Sequence, residues 1–256
     1  MNNKLIAIIP AAGTGSRLFP FPCPKELFPI GYQDIIIDGK KQKRPKVISQ
    51  YLIENIINAG VEKFYFILGE GKSKIMDYYG SGLRFGIKIS YLYQEELFGM
   101  PYALNLVLPW EKDATVVFGM PDTIIEPRNY FKQLLNFHNK HNSDLTLGLF
   151  KTDFPSKFGM TAVDNENNVI YTIDKPIKTE LIYAWGSACW SNKFTLLINE
   201  FLSIKKTVNK EVVLGDIFNY AIEKKLQVKA LIIENAQYID IGTSEELDLA
   251  LKKFHL

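Results

Sequence analysis

Cysteine is nearly absent: Cys23 and Cys189 are the only two in 256 residues. Two thiols without paired spacing exclude a disulfide framework and a cysteine zinc site, and leave the cytoplasm as the default compartment. A surplus of charge is missing too. Thirty Lys and Arg against 28 Asp and Glu give a formal +2, which is no electrostatic footprint for nucleic acid, so any anionic ligand must be recognised locally. No apolar run approaches the ~20 residues of a membrane span. The apolar N-terminal stretch is not read as a signal peptide, because Pro10 breaks it and cleavage would remove the loop described next. Repeats, low-complexity tracts and linkers are absent. The length suits one α/β domain over residues 1–256, with 1–143 as one half and a β-rich 144–256 as the other.

What the chain does have is concentrated in KLIAIIPAAGTGSRLFPFPCPKELFPI, residues 4–30. Leu5 to Ile9 is an uninterrupted apolar run, the pattern of a buried parallel strand. It empties into Ala11-Ala12-Gly13-Thr14-Gly15-Ser16, small residues that let a backbone approach a ligand and turn successive N–H groups toward phosphate oxygens. Arg17 and Lys25 follow as cations on a path stiffened by Pro20, Pro22, Pro24 and Pro29. Gly69-Glu70-Gly71-Lys72-Ser73 ends like a P-loop, but the glycine required five positions before Gly71 is Phe66.

Elsewhere the pattern predicts a solvated basic connection over 31–46, a helix over 47–57 stopped at Gly60, and a strand over 63–68, together a βαβ unit. An exposed helix is expected at 72–79, a strand at 87–93, a helix at 100–108, a strand at 114–118 and an amphipathic helix at 129–141. His138 and His141, at the end of that last helix, read as ordinary solvated histidines. Strands are expected near 145–150, 161–163, 169–173, 182–190 and 228–233, and helices at 192–202 and 215–225. Thr243-Ser244-Glu245-Glu246 is a capping signature for the closing helix. Trp110, Trp185 and Trp190 read as core or wall, Cys189 as a buried apolar residue and Cys23 as loop-borne.

Gly13-Thr14-Gly15-Ser16-Arg17-Leu18-Phe19-Pro20 followed by Pro24-Lys25-Glu26-Leu27-Phe28-Pro29 resembles the double signature of the sugar-nucleotide pyrophosphorylases, among them the glucose-1-phosphate thymidylyl- and uridylyltransferases. A Rossmann fingerprint would need glycine where Leu18 stands. Later segments fall in that family's order: Gln94 and Gly99, Gly119-Met120-Pro121-Asp122, Phe158-Gly159, Asp174-Lys175-Pro176, Gly186, and Tyr238-Ile239-Asp240-Ile241-Gly242-Thr243. Three departures stand out: a path from Arg17 to Lys25 about two residues shorter than usual, Asp174 in place of Glu, and Gly99-Met100-Pro101 in place of Gly-Thr-Ala or Gly-Leu-Ala. A helical C-terminal extension found in some relatives is expected to be absent.

The resemblance implies a Rossmann-like, GT-A-type fold: a mostly parallel central sheet flanked by helices, with a β-rich sugar-binding half. It also implies condensation of an NTP with a sugar 1-phosphate, giving an NDP-sugar and pyrophosphate with Mg²⁺. Arg17 and Lys25 would be catalytic, and Ala11, Ala12, Gly13, Thr14, Gly15, Ser16, Gln94 and Gly99 would bind the nucleotide. Gly159, Asp174, Lys175 and Gly186 would bind the sugar phosphate, and Asp122 and Asp240 the metal. NTP and sugar 1-phosphate are then the partners, with neither nucleic acid nor membrane involved and a homo-oligomer allowed. Two other readings stay open: a catalytically silent relative that binds nucleotide or sugar phosphate, and the same chemistry on a non-sugar phosphate or phosphonate.

Overall fold

The computed structural model describes residues 4–205 and 211–254. Strand β1 (Lys4–Ala11) leads through two single 3-10 turns into a hairpin, β2 (Pro29–Ile37) and β3 (Lys40–Val47). Next come α1 (Ile48–Ile57), β4 (Lys63–Leu68), α2 (Ser73–Tyr79), β5 (Lys88–Tyr93), α3 (Met100–Asn105), β6 (Ala114–Gly119), β7 (Thr123–Glu126) and α4 (Tyr130–Lys140). The second half holds β8 (Leu145–Lys151), β9 (Gly159–Val163), β10 (Val169–Asp174), β11 (Tyr183–Trp190), α5 (Asn192–Ile204), α6 (Leu214–Glu223), β12 (Val228–Ile232), β13 (Gln237–Asp240) and α7 (Ser244–Phe254).

Nine strands make one sheet in the order β10-β9-β11-β6-β1-β4-β5, with β8 on β11 and β12 on β8. The α/β architecture expected from the sequence is present. Strands β6, β1, β4 and β5 run parallel, and β11 enters antiparallel beside β6. Side chains alternate across β1, so Ile6 and Ile8 face one core, shared with Phe194 and Phe218, while Ala7 and Ile9 face another, shared with Leu52, Ile56 and Phe131. That alternation explains the continuous apolar run: a strand covered by helices on both faces has no solvent side. Among the described residues no helix is long and apolar enough to cross a membrane.

The structure corrects four local expectations. Residues 31–46 belong to the hairpin β2–β3 rather than to a loose connection. Asp38 and Gly39 both take positive φ, 50° and 72°, the two-residue turn favoured between twisted antiparallel strands; the surrounding lysines masked it. Lys46 is buried and donates to Glu54 at 2.5 Å. His138 is buried rather than solvated, its Nδ1 3.0 Å from Thr146 Oγ1, and burial pushes its pKa down to about 4. Trp110 is exposed, while nearby Val107 is buried after α3. Lys72, expected on a solvated helix, is 5 % exposed.

Candidate active site

The site is assembled where parallel strands end. In register, Ala11 of β1 lies opposite Leu68 of β4, and Leu68 opposite Tyr93 of β5, so the small-residue loop, the 69–72 turn and Gln94 leave the sheet at the same edge. Ala11 and Ala12 are buried, whereas Gly13, Thr14 and Ser16 are exposed. Gly15 has φ 68° and opens the 3-10 turn that carries Arg17, with Leu18 N–H donating to Gly15 O at 3.0 Å. This left-handed residue turns the chain back, and a side chain there would be strained. A Cβ on Gly15 would sit 3.9 Å from Lys25 Cδ, so the loop and the Lys25 side chain lie side by side.

Lys25 reaches across 97 residues of sequence to an ion pair with Asp122, both side chains largely buried. Burial alone would lower the lysine's pKa, but the Asp122 charge and hydrogen bond outweigh it and hold the ammonium above its usual range. Asp122 follows β6 and is fixed by the small two-stranded sheet β13–β7, in which Thr123 is opposite Asp240. Ile241 N–H donates to Asp122 O at 3.2 Å. The two aspartates are therefore neighbours by strand register. Behind them, Asn55 of α1 donates to Ile125 O at 2.9 Å and accepts from Phe131 N–H at 3.3 Å, tying β7 to α1 and α4. Burial first, then the charges of Asp122 and Glu246, raise the Asp240 carboxyl well above the usual carboxylate range, against opposing pulls from Lys25 and the Gly242 N–H. Arg17 completes the group. A Cβ on Gly242 would lie 3.0 Å from Asp240 Oδ1 and 3.1 Å from an Arg17 terminal nitrogen.

Gln94 is buried and its side-chain amide donates to Glu96 O at 3.1 Å and to Gly99 O at 3.4 Å, so it staples the 94–99 loop. Gly99 has φ 118°, and any Cβ there would strike Val212 O at 2.3 Å. The remaining four candidates form a second set. Asp174 lies opposite Gly159 in the β10–β9 pairing, and Lys175 N–H donates to Phe158 O at 3.0 Å; the Asp174 and Lys175 side chains are exposed. The missing side chains of Gly159 and Gly186 leave room for aromatic rings: a Cβ would lie 2.1 Å from Trp185 Nε1 at the first and 2.3 Å from the Tyr238 ring at the second. Tyr238 stacks on Phe150 at 4.1 Å and precedes Asp240 by two residues on β13, so this set is joined to the aspartates through one strand.

Sequence reasoning passed over Glu26 and Lys72. Both are buried, and Lys72 Nζ donates to the two Glu26 carboxylate oxygens at 2.9 and 2.8 Å. The signal in the sequence is a lysine in a glycine-rich turn directly after a strand, a pattern shared with the P-loop it does not complete.

Among the described residues no three His, Cys, Asp or Glu side chains form a cluster that could hold a metal ion. Asp122 and Asp240 alone are two hard oxygen donors in an environment that raises the cost of their joint charge, a donor set that would fit a Mg²⁺ ion.

Residues 6–255 match the Nucleotidyl transferase family. Over 179 residues the chain is 33 % identical to the bifunctional protein GlmU of Methanococcus vannielii, covering 68 % of this chain and 36 % of that one; it thus spans about a third of that relative's length. A provisionally assigned glucose-1-phosphate thymidylyltransferase of Bacillus anthracis, solved with sucrose, superposes with a TM-score of 0.83 at 21 % identity, covering 98 % of this chain and 95 % of that one. A UDP-glucose pyrophosphorylase in complex with UDP-glucose gives 0.80 at 19 %, covering 98 % of both. At those identities the two structures speak for the fold. The match over almost the whole sequence, on a chain whose strand ends gather a small-residue loop, two cations and two aspartates, carries the further conclusion that this protein belongs to the nucleotidyl transferase family.

Proposed function

We propose that the protein joins an NTP to a sugar 1-phosphate, releasing pyrophosphate and forming an NDP-sugar. The observation that carries this reading is the convergence of Arg17, Lys25, Asp122 and Asp240, from three distant stretches of chain, beside a loop of exposed small residues. A binding-only relative has little need of all four.

In this reading the N–H groups of Ala11 to Ser16 and the Arg17 guanidinium hold the triphosphate. A phosphate oxygen of the acceptor attacks the α-phosphorus in line; a phosphorus–oxygen bond forms there as the bridge to the β-phosphate breaks, and pyrophosphate carries away the charge. The nucleophile is already an anion, so no general base is required. Lys25, kept charged by Asp122, neutralises the α-phosphate and the incoming phosphate together, which lowers the repulsion between two like-charged reactants. Gln94, through the loop it staples, and Gly99 face the base, while Gly159, Asp174, Lys175 and Gly186 receive the sugar phosphate. A Mg²⁺ ion held by Asp122 and Asp240 would supply charge neutralisation at the phosphate oxygens.

The test is pyrophosphate release across UTP, dTTP, GTP, ATP and CTP, each with glucose, mannose and N-acetylglucosamine 1-phosphates and with non-sugar phosphates, with and without Mg²⁺. Turnover with one or a few sugar 1-phosphates, dependent on Mg²⁺, is expected. A folded protein that binds NTP but turns over no pair would overturn the reading in favour of a silent relative, and turnover with non-sugar acceptors alone would reassign the acceptor.

A further inference from the structure

Lys25 and Glu26 are consecutive residues of one 3-10 turn, yet their side chains leave in different directions, Lys25 to Asp122 and Glu26 to Lys72. The second contact is the more enclosed: the side chains of Lys72 and Glu26 are 6 % and 3 % exposed, and the ammonium bridges both carboxylate oxygens. Lys72 sits in the turn after β4, its N–H donating to Gly69 O at 3.3 Å. That turn also backs the small-residue loop, since a Cβ on Gly69 would come within 2.8 Å of Ala12 O. One short turn therefore touches both pieces of the donor side. A buried ion pair is a poor way to add stability, because desolvation offsets most of its attraction, whereas it does define a geometry.

We infer that Lys72 and Glu26 are positioning residues for the transfer step: their ion pair clamps the loop carrying Lys25 to the turn behind the phosphate loop, and so sets where the Lys25 ammonium stands. The pair has a second effect. Glu26 is bonded to Lys72 and not to Lys25, so the Lys25 ammonium makes its direct contact with Asp122, while the Glu26 and Asp240 charges act on it only from a distance. This inference rests on the nucleotidyltransferase reading above.

The experiment is a cycle of Lys72→Met and the double variant Glu26→Gln/Lys72→Met, each made with Lys25 present and in a Lys25→Ala background. It uses the best NTP and sugar 1-phosphate pair from the panel, at saturation and well below each melting temperature. Lys72→Met is expected to lower kcat by about 10- to 100-fold. The double variant, which strands no charge, should recover the melting temperature but not kcat, and it keeps the test open if Lys72→Met alone does not fold. In the Lys25→Ala background the same changes should alter kcat by less than about threefold, because a residue that acts through Lys25 has nothing left to position. Recovery of kcat together with melting temperature, or an undiminished loss without Lys25, makes the pair merely structural and overturns the inference. Absence of turnover in the unsubstituted protein overturns the nucleotidyltransferase reading and this inference with it.

Discussion

The two groups of candidate residues are built on opposite principles. On the parallel side Arg17 is exposed, but the other charges are buried and engaged: Lys25 and Asp122 have side-chain exposures of 16 % and 12 %, and Glu26 and Lys72 lie deeper still. On the antiparallel side Asp174 and Lys175 stand exposed at the end of β10, and among the described residues no ion pair is recorded for either. Buried, paired charges cannot reorient without a large loss, so their geometry is set when the chain folds. Exposed ones adapt to what binds. For the proposed reaction this amounts to a division of labour, with the transfer chemistry preorganised and recognition of the acceptor adjustable.

The largest expected effect tests the preorganised side. Lys25→Ala and Asp122→Asn should each lower the rate of pyrophosphate release by about 10²-fold or more while the fold survives, as seen when one charge aimed at a transition state is removed. Near-normal rates from either, with circular dichroism unchanged, would erase the contrast. On the other side the outcome should be smaller and of another kind. Lys175→Ala is expected to raise KM for the sugar 1-phosphate by about tenfold with little change in kcat, the signature of lost uniform binding. A fall in kcat as large as that of Lys25→Ala would make both sides catalytic and the division false.

The smallest effect on turnover should come from a buried polar group outside both sets. His138 is held neutral, with a folded pKa of about 4 against an ordinary 6.5. Between those values the unfolded chain binds the proton and the native protein does not, so this contribution to stability is complete above about pH 6.5 and is lost as pH falls toward 4. It amounts to up to about 3 kcal/mol. In His138→Gln the slope of stability against pH over that window should flatten, with kcat at pH 7.5 unchanged. An unaltered slope in urea melts would mean that another group carries the acid sensitivity, and a changed kcat would extend the catalytic apparatus to α4.

Much of this arrangement can be seen in the sequence where its cause is local. The apolar run of β1, the small residues after it, the capping Thr243, whose Oγ1 accepts from Glu246 N–H at 3.3 Å, and the stop at Gly60 are all determined within a few residues of themselves. The β2–β3 hairpin had its cause in plain sight, in Asp38-Gly39, but a run of lysines resembles a solvated loop until each alternate position is assigned a face. The burial of His138 is hidden from the sequence for a different reason. A histidine at the end of an amphipathic helix is solvated by default, and only the packing of β8 against α4 puts Thr146 within reach of its ring.

What the sequence alone determined is the inventory and its local presentation: a strand ending in a loop without bulky side chains, two cations close behind it, and aspartates placed after apolar runs. The tertiary structure decided which charges meet. Attraction and desolvation depend on separation and burial in space, not on distance along the chain, and the partner of Lys25 lies 97 residues away while that of Glu26 lies 46 away. Two adjacent residues, read together as one motif, are thereby divided between two partners, Lys25 going to Asp122 and Glu26 to Lys72.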